Sequence, residues 1–163
     1  MRAICCGRRG WAEVDLPGSA AEAFAAQSDA VLSGSPHALA QRLLGIAEAT
    51  LERWLQAHGV PPTTRTHEGF RLLALQRQAA RPDPSFNACR ESCRELVYHC
   101  NVAVAGTDPG TRIRHFRMAA AVAIHLQLFI DGKLENARLG EFCCASRPLR
   151  AADAAVPSGA EET

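Results

Sequence analysis

The 163-residue sequence has few aromatic residues, six phenylalanines, two tryptophans and one tyrosine, and only one lysine, Lys133. Its formal net charge is only +1. This argues against a general binder of nucleic acids or membranes, because non-specific binding to phosphates needs a surplus of cations. The sequence also lacks glycine at regular intervals, an internal repeat and a glycine-rich phosphate-binding loop. Collagenous, disordered and disulfide-stapled classes are excluded, and one globular domain of ordinary size remains.

Long hydrophobic runs are missing as well. The longest apolar stretch, 118–130, is too short to cross a bilayer. We expect it to form a buried core helix in which His125 is a core histidine. The first residues contain no apolar run long enough for a signal peptide, so we expect a cytoplasmic protein without a membrane partner. Its seven cysteines are then expected to be reduced thiols.

Alanine is abundant, with 30 copies, and favours helices because it loses the least side-chain entropy there. We therefore predict an all-α protein, an antiparallel helical bundle of four main helices plus a short N-terminal helix. Arginine occurs 17 times. This indicates either recognition of phosphate by planar guanidinium groups or, the interpretation that we prefer, the codon usage of a GC-rich genome.

Capping residues, glycines and prolines divide the chain into elements. Ser19 and Glu22 form a capping box that opens a short helix ending at 33–34. Further helices are predicted at 36–58, 67–79, 85–103 and 111–130, the last ending at Asp131 and Gly132. We assign residues 1–18 to an irregular N-terminal segment, 19–146 to the helical-bundle domain and 147–163 to a disordered acidic tail.

Three cysteines fall in the predicted helix 85–103. At about 100° per residue, Cys89, Cys93 and Cys100 share its apolar side, and we interpret them as small core residues. A zinc site would need four ligands, whereas a C-x3-C pair in one helix supplies two. The residues that could complete such a site only through tertiary contacts are His115, His125, Cys143 and Cys144. We therefore predict no metal and no cofactor.

The polar side of the same helix carries Arg94 and His99, an R-x4-H pair just before a polar turn. The chain runs through LERWLQAHGVPP, THEGFRLLALQ and CRELVYHCN to a final apolar helix. In this order it resembles the HEPN domains of prokaryotes over about residues 36–131. HEPN domains are small helical bundles, usually dimeric, and many are metal-independent ribonucleases with an R-x4-6-H motif. The chain departs from the common pattern where Glu95 follows Arg94 and where Cys100 and Asn101 follow His99.

The resemblance implies a metal-independent endoribonuclease of the toxin or defence type. Arg94 and His99 would be catalytic, the histidine as general base or acid and the arginine as a stabiliser of charge on the phosphate. Tyr98 and Asn101 would position the RNA backbone. The resemblance also implies a homodimer with the site at its interface, and it allows an antitoxin or another protein partner.

Helix geometry separates the two proposed catalytic residues. Five residues turn a helix by about 500°, so the side chains of Arg94 and His99 point about 140° apart. An unwound helix end, or the motif of a second subunit placed opposite, would bring such a pair together. In the alternative interpretation Glu95 and His99 form an ordinary i,i+4 surface pair, and Arg94 bridges to Glu91 or to solvent.

A second cationic group, Arg112, Arg114 and Arg117, lies in the first turns of the last predicted helix. The positive end of the helix dipole disfavours cations there. RNA phosphate would justify these arginines as substrate-binding residues. Salt bridges to Glu91, Glu95 or the acidic tail are the alternative.

Three functions therefore stay open. The first is the HEPN-like ribonuclease. The second is a non-catalytic helical adaptor, or a module that binds nucleic acid or protein with a degenerate site. The third is a bundle that depends on thiols or a metal.

Overall fold

The structure of the chain, a computed structural model, describes residues 19–137. These residues form six α-helices, α1 Ala20–Ala25, α2 Asp29–Leu32, α3 Pro36–Ala57, α4 Arg71–Ala80, α5 Arg90–Ala105 and α6 Pro109–Asn136. A 3-10 helix, Pro84–Cys89, leads directly into α5. The described range contains no strand, so the all-α prediction is confirmed. The assignments made for 1–18 and 147–163, and Cys5, Cys6, Cys143 and Cys144, lie outside the described residues.

Capping side chains mark the starts of α1 and α6. The hydroxyl of Ser19 accepts the amide of Glu22 at 3.1 Å, and the carboxylate of Glu22 accepts the amide of Ser19 at 2.7 Å. This is the predicted capping box. Asp108 accepts the amide of Thr111 at 2.6 Å, and Pro109 opens α6, where a missing N–H breaks no hydrogen bond.

The N-terminal helix predicted as one element is two helices, because the chain turns between Ala25 and Asp29. The carbonyls of Ala25 and Gln27 accept hydrogen bonds from Arg117 of α6 at 3.1 and 3.3 Å. The prediction of one helix was wrong because this cation, distant in sequence, satisfies carbonyls that would otherwise need a continuing helix.

The start of α4 lies four residues after the predicted one, because the chain first makes a tight turn. Glu68 and Gly69 have φ values of 52° and 82°, in the left-handed region that a right-handed helix does not use. His67 and Phe70 close the turn with two backbone hydrogen bonds of 3.0 Å. The turn directs Glu68 towards α5, where its carboxylate meets Arg94.

The predicted end of α6 was also wrong, because the helix continues through Gly132. Beyond this glycine Leu134 is buried, and the ammonium group of Lys133 donates a 3.0 Å hydrogen bond to Asp83. These contacts outweigh the roughly 1 kcal/mol that glycine costs inside a helix relative to alanine.

The core lies where α6 packs on α1, α3 and α5, and where α4 packs on α3 and α5. Phe86 of the 3-10 helix is completely buried at the centre of an aromatic group. Its ring centroid lies 4.9 Å from that of Trp54 on α3 and 5.5 Å from that of Phe129 on α6. The 3-10 helix therefore joins the two longest helices of the described part.

The three cysteines of this region are buried free thiols, as predicted for core residues. The thiol of Cys89 donates to the carbonyl of Phe86 at 3.1 Å, and burial raises the pKa of Cys100 to about 12. Cys93, which lies between these two cysteines in the sequence, is completely buried. Across residues 19–137 no three histidine, cysteine or acidic side chains are grouped closely enough to hold a metal ion.

The outer face of α6 differs from the prediction of a buried helix. Met118 and Leu128 are 43% and 66% exposed, although Leu126 and Ile130 are buried. His125 is exposed, so its assignment as a core histidine was wrong. It lies on the side of α6 away from α1, α3 and α5. Within 19–137, no helix combines the length and apolar character needed to cross a membrane.

Candidate functional site

Arg94 lies on the side of α5 that faces the turn before α4. Its side chain is about half exposed and forms a 2.6 Å ion pair with Glu68. Glu91, the partner considered from the sequence, pairs with Arg90 at 3.0 Å instead. Arg94 is therefore held by a carboxylate from another part of the chain.

His99 faces α6 and is only 4% exposed. Its Nδ1 lies 2.8 Å from Nδ1 of His115, and its Nε2 lies 3.7 Å from Glu95. The contact with Glu95 considered from the sequence exists, but the histidine is buried rather than on the surface. Within one chain, Arg94 and His99 contact different elements, as expected from their angular separation of about 140°.

A concave surface lies between α4 and the start of α5. A cavity of about 420 Å³ is lined by His67, Arg77, Arg81, Arg90 and Arg94. An adjoining cavity of about 350 Å³ shares three of these side chains and adds Arg65, Thr63 and Thr66. The two cavities meet at His67, whose Nε2 lies 2.8 Å from Nη1 of Arg77.

Positive charge dominates both cavities. No aspartate or glutamate of the described residues is among their lining residues. The carboxylates that contact the lining arginines are Glu68 and Glu91, and each holds one arginine. The side chain of Arg81 has no hydrogen bond or ion pair to any residue in 19–137. Its guanidinium is therefore available to an anion.

The folding of the α4–α5 connection explains why these arginines converge. Arg77 and Arg81 are one turn apart at the C-terminal end of α4, where the helix dipole favours cations. Gln76, buried beside them, donates a 2.8 Å hydrogen bond to the carbonyl of Phe86. Asp83 accepts hydrogen bonds from Ser85, and these contacts together with Lys133 hold the pKa of this carboxyl below its usual value.

A second group of polar side chains surrounds the histidine pair. The ring of Tyr98 is 58% exposed and lies with its centroid 5.2 Å from His99 and 6.3 Å from His115. Burial, followed by the neighbouring His99 and Arg114, lowers the pKa of His115. This histidine is therefore a neutral hydrogen-bonding group at neutral pH.

The three arginines predicted to bind substrate from α6 do not act as one group. Arg112 donates to the carbonyl of Gly106 at 3.2 Å, while Arg114 is exposed. Arg117 forms a 2.5 Å ion pair with Asp29 besides its two bonds to backbone carbonyls. Arg117 therefore fastens the N-terminal helices to α6.

Replacing Arg117 by alanine should lower the free energy of unfolding by about 1 kcal/mol, because the contacts are several but partly exposed. The measurement is urea denaturation, with limited proteolysis of the turn at 26–28. Arg114→Ala, an exposed position on the same helix, is the matched control and should unfold like the wild type. Equal stability of the two variants would contradict the assigned role of Arg117.

Sequence reasoning missed Arg77, Arg81 and Arg90, and it considered His115 only as a possible metal ligand. The spacing of the arginines did carry a usable pattern, because Arg77 and Arg81, like Arg90 and Arg94, are four residues apart and share a helix face. The position of one pair against the other depends on the turn between α4 and α5. The other predicted contacts with RNA, Tyr98 and Asn101, are both on the surface of α5.

No protein-family model matches the chain, and no curated protein or solved structure matches it.

Proposed function

We propose that this chain binds RNA, with the arginine-lined cavities holding phosphate groups. The observation that carries the proposal is the convergence of five arginines on two adjoining cavities without a lining carboxylate. Guanidinium groups bind phosphate oxygens through paired, charged hydrogen bonds, which makes arginine the residue of choice for this task. The low overall charge of +1 means that the attraction is local, at this face of the molecule.

An exposed aromatic ring one helical turn beyond Arg94 supports RNA over a small phosphorylated molecule. Arg90, Arg94 and Tyr98 follow one another at four-residue intervals along α5, so they lie on one stripe of the helix. Binding of single-stranded nucleic acid combines a cationic groove for the backbone with aromatic rings on which bases stack. Tyr98 supplies such a ring next to the arginines.

A HEPN-like, metal-independent ribonuclease is the second candidate, and the buried histidine that contacts a second histidine favours it. In this proposal the four longest helices form an antiparallel bundle, and the protein is a cytoplasmic homodimer of the toxin or defence type. A second copy would place its own Arg94 opposite His99, and an antitoxin would cover the site. If the protein binds RNA through the same surfaces but does not cleave it, its function is that of a nucleic-acid-binding adaptor.

The proposal predicts salt-dependent binding of a short, fluorescently labelled single-stranded RNA. With four or five phosphate contacts, the logarithm of the binding constant should fall with the logarithm of the salt concentration at a slope of about −3. Fluorescence anisotropy over a series of salt concentrations measures this slope. Failure to bind at low salt, or a slope near zero, would overturn the proposal.

A further inference from the structure

A buried amide forms part of the floor of the arginine-lined cavity between α4 and α5. Gln76 lines this cavity of about 420 Å³, although only 2% of the residue is exposed. It shares the cavity with Leu73 and Ala80 of its own helix and with Arg90 and Arg94 of α5. A polar side chain that is buried to this extent costs stability unless its polar atoms have partners.

The carbonyl of Phe86 fixes the orientation of this amide. Nε2 of Gln76 donates a 2.8 Å hydrogen bond to that carbonyl. Because a carbonyl oxygen can only accept, the amide nitrogen must face it, and the amide cannot be turned round. Phe86 is itself completely buried, in contact with rings of α3 and α6. The amide oxygen, Oε1, therefore points in one defined direction, away from the Phe86 carbonyl.

Oε1 of Gln76 is an acceptor without a partner. Among residues 19–137 no group donates a hydrogen bond to it, the arginines that line the cavity included. The atom is not sealed inside the protein, so a ligand in the cavity can reach it. The floor of the cavity thus presents a fixed acceptor, whereas Arg77, Arg81, Arg90 and Arg94 around it present donors.

This combination restricts the chemistry of the ligand. The oxygens of a phosphodiester accept hydrogen bonds from arginines but have no hydrogen to donate to Gln76. The missing partner is a donor close to a phosphate. In RNA the ribose 2′-hydroxyl is such a group, because its carbon adjoins the carbon that carries the 3′-phosphate. DNA has no hydroxyl at this position, and contacts with the 2′-hydroxyl are what allow a protein to distinguish the two.

We propose that Gln76 determines the specificity of this cavity for RNA by accepting a hydrogen bond from a ribose 2′-hydroxyl. The inference rests on the proposed binding of RNA and names the group that is recognised besides phosphate. The arginines hold the phosphates of either nucleic acid, while Gln76 distinguishes the sugars. A DNA strand in the same place would displace water from Oε1 and leave this acceptor unpaired, which costs affinity.

Three labelled single strands of one base sequence test the proposal on the wild-type protein. One strand carries ribose, the second 2′-deoxyribose and the third 2′-fluororibose. The fluorine keeps the sugar conformation of RNA but cannot donate a hydrogen bond, so it separates the lost donor from a change in sugar shape. Measured by fluorescence anisotropy, both modified strands should bind about tenfold more weakly than RNA.

A variant of Gln76 tests whether this residue causes the preference. Gln76→Met keeps the length of the side chain and removes the acceptor, while the carbonyl of Phe86 keeps the thiol of Cys89 as a donor at 3.1 Å. This variant should bind the three strands with equal affinity. The matched control is Gln78→Met, because the amide of Gln78 bonds to the backbone at Thr63 and Pro61 instead. It should keep the tenfold preference for RNA.

The outcomes distinguish this inference from the proposed function. If RNA does not bind at all, the proposed function itself is overturned. If RNA binds but the 2′-fluoro strand binds equally well, or if Gln76→Met keeps the preference, RNA binding stands and the role of Gln76 is overturned. The role is also overturned if binding weakens on replacing guanine by hypoxanthine, which lacks the amino group, and not on replacing the 2′-hydroxyl. The donor would then belong to a base.

Discussion

Replacing Arg77 and Arg81 together by glutamine should weaken RNA binding at least about 100-fold. Each change removes a charged hydrogen bond worth about 1.5–3 kcal/mol, and tenfold in affinity corresponds to about 1.4 kcal/mol. The salt dependence should become shallower as well, because about two phosphate contacts are lost. Both quantities come from fluorescence anisotropy with the RNA used for the wild type.

The matched control removes two arginines from another face. Arg42 and Arg53 line a separate cavity beside α3, so Arg42→Gln/Arg53→Gln lowers the net charge by the same amount. If binding depends on the arginine-lined cavities, this variant should keep nearly the full affinity. Equal losses in the two double variants would mean that RNA responds to total charge, and would contradict a localised site.

The largest expected effect on stability is at Phe86. Phe86→Ala should lower the free energy of unfolding by about 3–5 kcal/mol, because it empties a completely buried position between Trp54 and Phe129. The connection between α4 and α5 should loosen at the same time, since the 3-10 helix leads directly into α5. Guanidinium denaturation measures the loss, and hydrogen exchange locates it.

The control for this prediction is a truncation where no cavity can form. Leu128→Ala changes a side chain that is 66% exposed and should alter stability by no more than about 0.5 kcal/mol. A loss at Phe86 that is as small as the loss at Leu128 would show that the aromatic group does not hold the two longest described helices together.

Much of the fold could be predicted from local chemistry. The capping box at Ser19 and the prolines at helix starts act through neighbouring residues, so the sequence alone indicates them. The errors occurred where distant residues decide the outcome. Gly132 stays helical because Leu134 is buried and Lys133 donates a hydrogen bond to Asp83, which is distant in sequence. Helix α1 ends at Ala25, whose carbonyl accepts a hydrogen bond from Arg117 of α6.

In the candidate site, too, features set by neighbouring residues could be predicted and features set by distant residues could not. The angular separation of Arg94 and His99 followed from helix geometry alone, and the structure places them against different elements. The partner of His99 is sixteen residues away on another helix. The spacing of residues within one segment could not identify it. The meeting of Arg77 and Arg90 likewise depends on a turn whose shape comes from tertiary contacts.

Glu68 neutralises part of the positive charge beside the cavities in the free protein. Its left-handed backbone costs a non-glycine residue about 1 kcal/mol or more, yet it brings one carboxylate within 2.6 Å of Arg94 and 3.2 Å of His67. The protein thus carries its own counterion. In the proposed complex, an RNA phosphate that binds Arg94 would have to displace this carboxylate.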